Sequence, residues 1–419
     1  MDEILQRAIL VGVDVNSDPN FDYSMAELEN LAEACDVEVV GQISQNLPRA
    51  HGATYIGTGK VDEVVQSIDM NDANLVIFND ELSPSQIRNL EGQLDCKVID
   101  RTLLILDIFA KRAKTREAQL QVEIAQLQYM KPRLIGLTSS LSRQGGGIGA
   151  KGVGEKKLEL NRRRIEDQIY ALNKELDSLV AARQTQRKLR KKNALPVVAL
   201  VGYTNAGKST TMNALLDIAK VEGSKKVFEK NMLFATLETS TRHIHLADNK
   251  QFLLTDTVGF VSKLPHQLVK AFRSTLEEVT EADLLLHVVD MSHPEYESQI
   301  KITNKVLENL GVKETPMLYV YNKADLNDEA VSPDQENVKI SAKTGLNMDA
   351  LLEMIKARIF DDFVHASFLI PYTEGAAVSY FNEHASILRT EYQDNGTLLE
   401  VECSANDAER FKQYKTPTS

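Results

Sequence analysis

The apolar positions of the first hundred residues change period several times. Short apolar runs with polar flanks, typical of buried strands, lie at residues 8–11, 37–40, 75–78 and 98–99. Segments with the spacing of amphipathic helices lie between them, at 25–35, 61–68 and 85–94. Ser83 and Pro84 supply a cap and a first-turn proline for the last of these helices. Such alternation predicts a small parallel α/β sheet.

A heptad pattern follows in two stretches. The first stretch has its seam at Leu106, Ala110, Ala113, Glu117, Leu120, Ile124 and Leu127. The second has it at Leu158, Arg162, Ile165, Ile169, Leu172, Leu176 and Leu179. A glycine-rich loop at 141–154 joins them. Two heptad helices joined by one loop predict an antiparallel hairpin.

Strand and helix patterns alternate again from Pro196 onward. Strands are predicted at 197–201, 252–255, 284–289 and 317–321, and helices near 208–216, 267–280, 295–309 and 347–359. The tail from Ala366 indicates a strand, a helix at 376–384, a hairpin that turns at 394–396 and a final helix. We therefore predict a multidomain α/β protein. Its parts are an N-terminal α/β domain (1–110), a helical hairpin (111–192), a second open α/β sheet (193–364) and a small α+β C-terminal domain (365–419).

The charge distribution separates these blocks. The whole chain has 48 Lys and Arg against 60 Asp and Glu, a net charge of −12 that argues against a polyanion partner. By segment, however, the net charge is −14 for 1–110, +12 for 111–192 and −10 for 193–419. The basic block indicates a surface that faces a polyanion, and a merely solvated helix surface is the alternative.

Other compositional features point to a cytoplasmic location. Cys35, Cys96 and Cys403 have neither disulfide nor metal-ligand spacing, as expected in a reducing compartment. No apolar run approaches the roughly 20 residues that span a bilayer. The acidic start of the chain does not have the pattern of a signal peptide.

The third block carries the chemistry. G-Y-T-N-A-G-K-S at 202–209 matches the phosphate-binding loop G-x-x-x-x-G-K-[ST] and lies between a predicted strand and a predicted helix. D-T-V-G at 256–259 ends a later strand, N-K-A-D at 322–325 ends another, and S-A-K follows at 341–343. A carboxylate at Asp325 can accept from both guanine N1–H and the N2 amino group, which adenine does not offer together. The set indicates a Ras-like P-loop GTPase.

On these motifs the chain resembles the HflX family of ribosome-associated GTPases over nearly its whole length. Further resemblance lies in F-A-T-L-E-T-S-T-R at 234–242, I-G-T-G-K-V-D-E at 56–63, G-E-K-K-L-E at 154–159 and R-R-R at 162–164. The resemblance implies that Thr236 is the switch I residue that senses the γ-phosphate and contributes to Mg²⁺ binding. It also implies binding to the large (50S) ribosomal subunit and the splitting of stalled or idle 70S ribosomes under stress.

The candidate site residues follow from the motifs and the resemblance. The catalytic candidates are Lys208, Thr236 and Gly259, and the Mg²⁺ candidates are Ser209, Thr236 and Asp256, the last through water. The GTP-binding candidates are Gly202, Tyr203, Thr204, Asn205, Ala206, Gly207, Lys208, Ser209, Thr210, Phe234, Ala235, Thr236, Leu237, Glu238, Asp256, Thr257, Val258, Gly259, Asn322, Lys323, Asp325, Ser341, Ala342 and Lys343. The rRNA-binding candidates are Arg143, Lys151, Lys156, Lys157, Arg162, Arg163 and Arg164.

Phe260 departs from the Ras-like pattern, because a water-orienting glutamine follows D-x-x-G in Ras. A phenyl ring cannot polarise water, so we expect slow hydrolysis by the protein alone and stimulation by the ribosome. Packing of Phe260 into a core would leave the same chemical gap.

Three weaker patterns are not interpreted as cofactor or metal sites. G-I-G-A-K-G at 147–152 follows no strand, so a dinucleotide site is not expected. G-T-G-K at 57–60 is interpreted as a tight strand-to-helix turn, with ligand or RNA contact as the alternative. His243, His245, His287 and His293 lack metal-ligand spacing and are taken as structural.

The role of the hairpin stays open at this point between several classes of partner. The first hypothesis is a monomeric ribosome-binding GTPase whose hairpin loop inserts among rRNA segments. The alternatives are a GTPase in ribosome assembly, and a signalling GTPase with a protein or anionic membrane-surface partner. A nucleotide-independent RNA remodeller is a further possibility. Scarce aromatic residues on the hairpin disfavour the membrane alternative.

Overall fold

The structure is a computed structural model. It describes residues 6–142, 153–192, 195–219, 233–234, 239–264, 278–312, 314–326 and 336–416. The chain divides into two compact units. Unit 1 comprises residues 1–188 with 230–238 and 259–275, and unit 2 comprises 189–229, 239–258 and 276–419. The predicted division into four domains stays a prediction.

Unit 1 begins with a four-stranded parallel sheet in the order β2-β1-β3-β4. The strands are β1 (Gln6–Val15), β2 (Val37–Leu47), β3 (Leu75–Phe78) and β4 (Lys97–Asp100). The helices are α1 (Phe21–Ala34), α2 (Thr58–Asn71), α3 (Pro84–Leu94) and α4 (Arg101–Arg112). Ser83 and Gln86 form a reciprocal capping box at the start of α3, with Pro84 in its first turn. The predicted small parallel sheet is confirmed.

Two local expectations in this region are wrong. The helix predicted to run through the first heptad stretch is interrupted, since α4 ends at Arg112 and α5 (Arg116–Ser142) begins after Thr115. The Thr115 hydroxyl oxygen accepts from the Ala118 amide at 3.3 Å, as a helix cap does. At 57–60 there is no tight strand-to-helix turn, because residues 48–57 separate β2 from α2.

The hairpin pairs α5 with α6 (Val153–Lys192) in antiparallel fashion. Arg116 binds Glu175 and Lys131 binds Glu166, so residues near the start of α5 meet residues far along α6. Along the described part of α6, the five predicted seam positions Ile165, Ile169, Leu172, Leu176 and Leu179 are partly buried, with exposed positions between them. The heptad interpretation of α6 is therefore confirmed from Ile165 to Leu179, whereas Arg162, which was also predicted at the seam, is exposed.

Unit 2 contains a six-stranded sheet in the order β10-β9-β8-β5-β7-β6, in which β6 alone is antiparallel to its neighbour. The strands are β5 (Val197–Gly202), β6 (Ser240–His245), β7 (Gln251–Asp256), β8 (Leu284–Asp290), β9 (Met317–Asn322) and β10 (Asn337–Lys339). The helices are α7 (Lys208–Ile218), α8 (Tyr296–Asn309) and α9 (Met348–Ile359). The helix predicted at 267–280 lies mostly outside the described residues. Because the parallel strands end at one edge, their C-terminal residues gather there.

The C-terminal part of unit 2 is an antiparallel sheet in the order β11-β13-β12. Its elements are β11 (Phe363–Ile370), α10 (Gly375–His384), β12 (Ser386–Gln393), β13 (Gly396–Ser404) and α11 (Ala405–Arg410). Phe368 and Phe381 stack with their ring centroids 4.7 Å apart in its core. The predicted hairpin turns at Asp394 and Asn395, as its sequence indicated. Within the described residues, no helix has the length and apolar character needed to cross a membrane.

Candidate GTP site

The loop between β5 and α7 is shaped by two glycines with positive φ. Gly202 has φ +146°, and a Cβ atom there would lie 2.2 Å from the carbonyl oxygen of Val288. Gly207 has φ +95°, and its Cβ would lie 2.2 Å from Nδ2 of Asn322. Neither position can take a side chain without displacement, so the backbone is kept bare ahead of the α7 N-terminus. Such a bare loop at a helix N-terminus fits phosphate, since amide N–H groups and the helix dipole face the anion.

Lys208, the first residue of α7, is only 6% exposed. Its Nζ donates to the carbonyl oxygens of Gly202 at 3.1 Å and Tyr203 at 2.8 Å. Burial lowers the pKa of Lys208 to about 8, and the nearby Asp256 carboxylate opposes this shift. A phosphate group would supply the negative charge that the two carbonyls supply only partially. Lys208 is therefore placed to exchange these carbonyl contacts for phosphate oxygens.

Two oxygen-bearing side chains meet beside Lys208. The Ser209 hydroxyl donates to Oδ2 of Asp256 at 2.6 Å, and Asp256 is fully buried at the end of β7. Hydroxyl and carboxylate oxygens are ligands that Mg²⁺ prefers. Its usual shell contains one or two such protein groups, and water and phosphate oxygens occupy the remaining positions. The donor set and the bare glycine loop thus fit a magnesium nucleotide. Thr257 holds the end of β7 by donating to Leu200 O at 2.6 Å.

Asn322, at the end of β9, joins two of the predicted motifs. Its Nδ2 donates to Ala206 O in the phosphate loop at 2.9 Å. Its Oδ1 accepts from the Ala342 amide at 3.0 Å. With 3% exposure the side chain is enclosed, so both bonds are shielded from water. The segment at 341–343 and the phosphate loop are therefore fixed to the same amide group.

Asp325 is exposed and oriented by a neighbour. Its Oδ1 accepts from the Ser341 hydroxyl at 2.7 Å, and Ser341 is fully buried. The Ser341 oxygen in turn accepts from the Thr344 amide at 3.2 Å. This arrangement fixes an accessible carboxylate that can accept from both guanine N–H groups. The adjacent backbone of Ala342 and Lys343 follows the same turn.

Asp290 is a functional candidate that the sequence motifs did not reveal. It ends β8, and its Oδ2 accepts from Lys323 Nζ at 2.5 Å, while its Oδ1 accepts from the Ser292 hydroxyl at 2.6 Å. Lys323 has φ +63° and is partly buried, so this ion pair holds an unusual backbone in place. The sequence contained one indication of this role. Asp290 is a polar residue at the end of β8, and β8 ends at the same edge of the sheet as β5, β7 and β9.

His287 on β8 is a structural histidine of this sheet. It is 1% exposed, and its ring lies 5.1 Å from that of Tyr319, centroid to centroid. Burial, with the charge of Lys208, lowers the pKa of His287 to about 3. The ring is therefore neutral at physiological pH. No group of three or more His, Cys, Asp or Glu able to hold a metal occurs in the described part of the chain.

Several predicted residues are assigned to unit 1 or lie outside the described residues. Phe234 and Gly259 belong to unit 1, and the Phe234 ring is buried there against Phe109. Phe260 is 2% exposed, so its ring lies in a core. Outside the described residues lie Ala235, Thr236, Leu237, Glu238, Arg143 and Lys151, and the side chains of Lys156 and Lys157 are not described. Arg162, Arg163 and Arg164 are all exposed on α6.

Comparison with known proteins places these features in a family. Three family models match successive parts of the chain: GTP-binding GTPase N-terminal over 22–110, GTP-binding GTPase Middle Region over 112–190, and 50S ribosome-binding GTPase over 197–323. The GTPase HflX of Caldanaerobacter subterraneus subsp. tengcongensis is 45% identical, over 98% of this chain and 94% of its own. The GTPase HflX of Escherichia coli strain K12 is 37% identical, over 94% and 92%.

A solved structure is also similar in part. It is a GTP-binding protein from the archaeon Sulfolobus solfataricus in complex with GDP, with a TM-score of 0.44 and 24% identity, over 85% of this chain and 99% of that one. The predicted α/β multidomain fold with a Ras-like P-loop GTPase domain is confirmed, and so is the predicted GTP hydrolysis. By its sequence identity over nearly its full length, the chain belongs to the GTPase HflX family.

Proposed function

We propose that this GTPase binds the large ribosomal subunit through its basic hairpin and splits 70S ribosomes into subunits in the cytoplasm under stress, as a monomer. The observation that carries the proposal is the exposed run Arg162, Arg163 and Arg164 on α6. It lies on a helix of 40 residues, about 60 Å long at about 1.5 Å per residue. Three adjacent arginines on the exposed face of one long helix can contact RNA phosphates and stack on unpaired bases.

The ends of the chain would limit binding to other polyanions. The N-terminal 110 residues carry a net charge of −14, and residues 193–419 carry −10. RNA would be repelled from these parts and attracted to the hairpin, because the electrostatic contact with phosphates grows with each basic side chain. The matched family model, described as a 50S ribosome-binding GTPase, supports the large subunit as the source of that RNA.

In the proposed GTP site each residue has one task. Lys208 binds the β- and γ-phosphates, and the bare loop at Gly202 and Gly207 binds the remaining phosphate oxygens with its amides. Asp325 selects guanine. Ser209, Thr236 and Asp256 would hold Mg²⁺, with Asp256 acting through water. The ion supplies charge neutralisation on the phosphates when bound.

Hydrolysis is proposed to depend on the partner. Phe260 occupies the position of the water-orienting glutamine, and its buried phenyl ring offers no hydrogen-bonding group. Intrinsic turnover is then slow, and docking on the ribosome supplies or positions the missing group. The GTP state favours binding, and hydrolysis favours release.

The test is sedimentation of the purified protein with 70S ribosomes and 50S subunits, with a non-hydrolysable GTP analogue or with GDP. We expect co-sedimentation with 50S subunits in the analogue state and conversion of 70S particles to subunits. No co-sedimentation in that state would refute ribosome binding. Binding without a change in the subunit profile would favour a role in assembly. A GTPase rate that ribosomes do not raise would refute stimulated hydrolysis.

A matched pair of triple variants separates the hairpin from general charge effects. R162A/R163A/R164A should weaken 50S binding and leave GTP affinity unchanged. K301A/K305A/K412A removes the same charge from exposed positions on α8 and the C-terminal part, and should leave 50S binding unchanged. Equal weakening by both variants would show that only net charge matters. Thermal unfolding of each variant checks that the hairpin remains folded.

A further inference from the structure

Asp290 and Lys323 form an ion pair where two neighbouring strands of unit 2 end. Asp290 is the last residue of β8, and Lys323 follows the last residue of β9. Lys323 Nζ lies 2.5 Å from Asp290 Oδ2, and the side chains of Lys323 and Asp290 are only 25% and 14% exposed. An ion pair that is enclosed in this way is screened less by water and salt than a surface pair. The contact can therefore fix the position of the Lys323 side chain.

The loop after β8 holds the Asp290 carboxylate itself. The other oxygen of this carboxylate, Oδ1, accepts from the Ser292 hydroxyl at 2.6 Å and from the Ser292 amide at 3.1 Å. The Met291 amide donates to the carbonyl oxygen of Asn322 at 3.2 Å, so a backbone hydrogen bond also joins the ends of β8 and β9. Asp290 therefore presents its Oδ2 to Lys323 from a fixed carboxylate.

Lys323 has a backbone conformation that lysine does not favour. Its φ is +63°, in the left-handed region, where the Cβ atom of an L-residue lies too close to the following carbonyl oxygen. The residues on either side are fixed by hydrogen bonds. Asn322 is held by the two bonds of its side-chain amide, and the Ala324 amide donates to Ile340 O at 3.0 Å. Lys323 therefore joins two anchored positions through a strained backbone.

The left-handed backbone of Lys323 affects the carboxylate that faces the base. Asp325 lies two residues after Lys323, and the Leu326 amide donates to the Lys323 carbonyl oxygen at 3.0 Å, which closes the turn around Asp325. The Ser341 hydroxyl fixes one oxygen of Asp325, Oδ1, at 2.7 Å. The direction of the second oxygen depends on the backbone of the turn. Guanine offers two N–H donors side by side, so both oxygens need the correct position.

We propose that Asp290 is a positioning residue for guanine selection. Its ion pair keeps Lys323 in the left-handed conformation, and this conformation keeps both oxygens of Asp325 directed at the base. The inference rests on the proposed role of Asp325 and adds a residue that lies outside the sequence motifs of the site. Inosine diphosphate (IDP) is the suitable probe, because its base keeps the N1–H of guanine and lacks only the N2 amino group. The preference for GDP over IDP therefore measures one hydrogen bond to the Asp325 carboxylate.

Asp290→Asn and Lys323→Met break the ion pair from either side at nearly unchanged size, and Asp290→Asn keeps an amide oxygen for the bonds from Ser292. The assay is competition of GDP and IDP against a fluorescent GDP analogue on the full chain. The unmodified protein should prefer GDP about tenfold or more, the factor for one hydrogen bond to a charged group. Both variants should reduce this preference to about twofold to threefold, because the residue at position 323 can then leave the left-handed region.

Lys323→Gly separates the effect of the backbone from that of the charge. It removes the ammonium group as Lys323→Met does, but glycine adopts a positive φ without the steric cost. Lys323→Gly should therefore weaken GDP and IDP binding together and keep the preference for GDP close to that of the unmodified protein. Adding Asp290→Asn to Lys323→Gly should not change the preference further. Equal losses of preference in Lys323→Met and Lys323→Gly would overturn the proposal, because the ammonium charge and not the backbone would then be responsible.

Asp283→Asn is the matched control at the opposite end of the same strand. Asp283 directly precedes β8, and its Oδ2 accepts from the Val197 amide at 2.7 Å. This variant removes the same charge from unit 2 and should leave the preference for GDP unchanged. A preference that Asp290→Asn leaves intact, or that Asp283→Asn lowers equally, would overturn the role of Asp290. If the unmodified protein bound GDP and IDP equally well, Asp325 would not select guanine, and both proposals would fail.

Discussion

Two alanine substitutions at glycines with a left-handed backbone test how much the close packing of the phosphate loop against Asn322 contributes to stability. Gly207 and Gly311 have similar φ values, +95° and +85°, and both belong to unit 2. A Cβ at Gly311 has no atom within 4 Å, whereas a Cβ at Gly207 would lie 2.2 Å from Asn322 Nδ2. Gly311→Ala therefore includes only the backbone cost, and Gly207→Ala adds the displacement of Asn322.

The expected magnitudes follow from these contacts. A non-glycine residue in the left-handed region costs about 1–2 kcal/mol, which is the full expected effect of Gly311→Ala. Displacing Asn322 breaks its bonds to Ala206 O and to the Ala342 amide, at about 1 kcal/mol each. Gly207→Ala should then cost roughly 3–4 kcal/mol. In a unit of about 200 residues, where 1 kcal/mol shifts Tm by about 2–4 °C, that corresponds to a fall in Tm of about 6–16 °C, against about 2–8 °C for Gly311→Ala.

The assay is thermal unfolding of both variants, followed by titration with a fluorescent GTP analogue at a temperature where both are folded. Gly311→Ala should bind the analogue normally. Gly207→Ala should lose at least about tenfold in affinity, because a side chain and a shifted Asn322 disturb the loop that faces the phosphates. Equal losses of stability and normal nucleotide binding in both variants would refute the reasoning from the Asn322 contact.

Three further predictions concern unit 2 and the thiols. Asp325→Asn should lower GTP affinity about 100-fold, because two hydrogen bonds to a carboxylate are lost. The variant should instead bind xanthosine triphosphate, whose C2 oxygen accepts from an amide. Competition binding that still favours GTP would contradict the role of Asp325 in selecting guanine. Lys250 Nζ lies 2.8 Å from Oε1 of Glu402, so Lys250→Met should lower the free energy of unfolding by about 1–3 kcal/mol. Adding Glu402→Gln should restore much of this loss, because the carboxylate is no longer left unpaired. Denaturant unfolding of both variants measures these changes. Burial raises the pKa of the Cys35 and Cys403 thiols to about 11, above the ordinary value of 9 that they regain on unfolding. The folded state therefore keeps protons that the unfolded state loses, and stability should fall as pH rises from 9 towards 11. Unfolding free energies measured at pH 8 and pH 10.5 should show this decrease, which a Cys35→Ser/Cys403→Ser variant should largely lack.

Local signals account for the parts of the structure that the sequence predicted well. The α3 start needed only Ser83, Pro84 and Gln86, and the β12–β13 turn needed only an Asn-Gly pair between alternating runs. The phosphate loop was identifiable because its motif fixes strand, glycines and helix within a few residues. In each case the determining contacts are close in sequence.

The heptad prediction failed at 113–115 for a physical reason. Leu106 fits a coiled-coil seam, but the same spacing suits any helix that packs on a sheet, and Leu106 is 1% exposed in α4. The helix break has no proline or glycine. Its one local signal was Thr115, a capping residue within an otherwise continuous pattern.

Contacts that are distant in sequence could not be predicted from the motifs. Asp290 pairs with Lys323 only because two strand ends meet, and Ser262 reaches Arg101 across 161 positions. Nothing near Ser262 in the sequence indicates a buried ion pair as its partner. The contacts of Phe234 with Phe109 and of Ser262 with Arg101 therefore became visible only with the tertiary structure.

The amide of Asn322 has a consequence for the release of nucleotide. It connects the backbone that faces the phosphates with the backbone that faces the base, through Ala206 and Ala342. A protein that binds and displaces the segment 322–325 would therefore move the phosphate loop and the base-binding backbone together. An exchange factor would need to bind only the segment 322–325. It would raise the dissociation rate of GDP without contacting the phosphate loop.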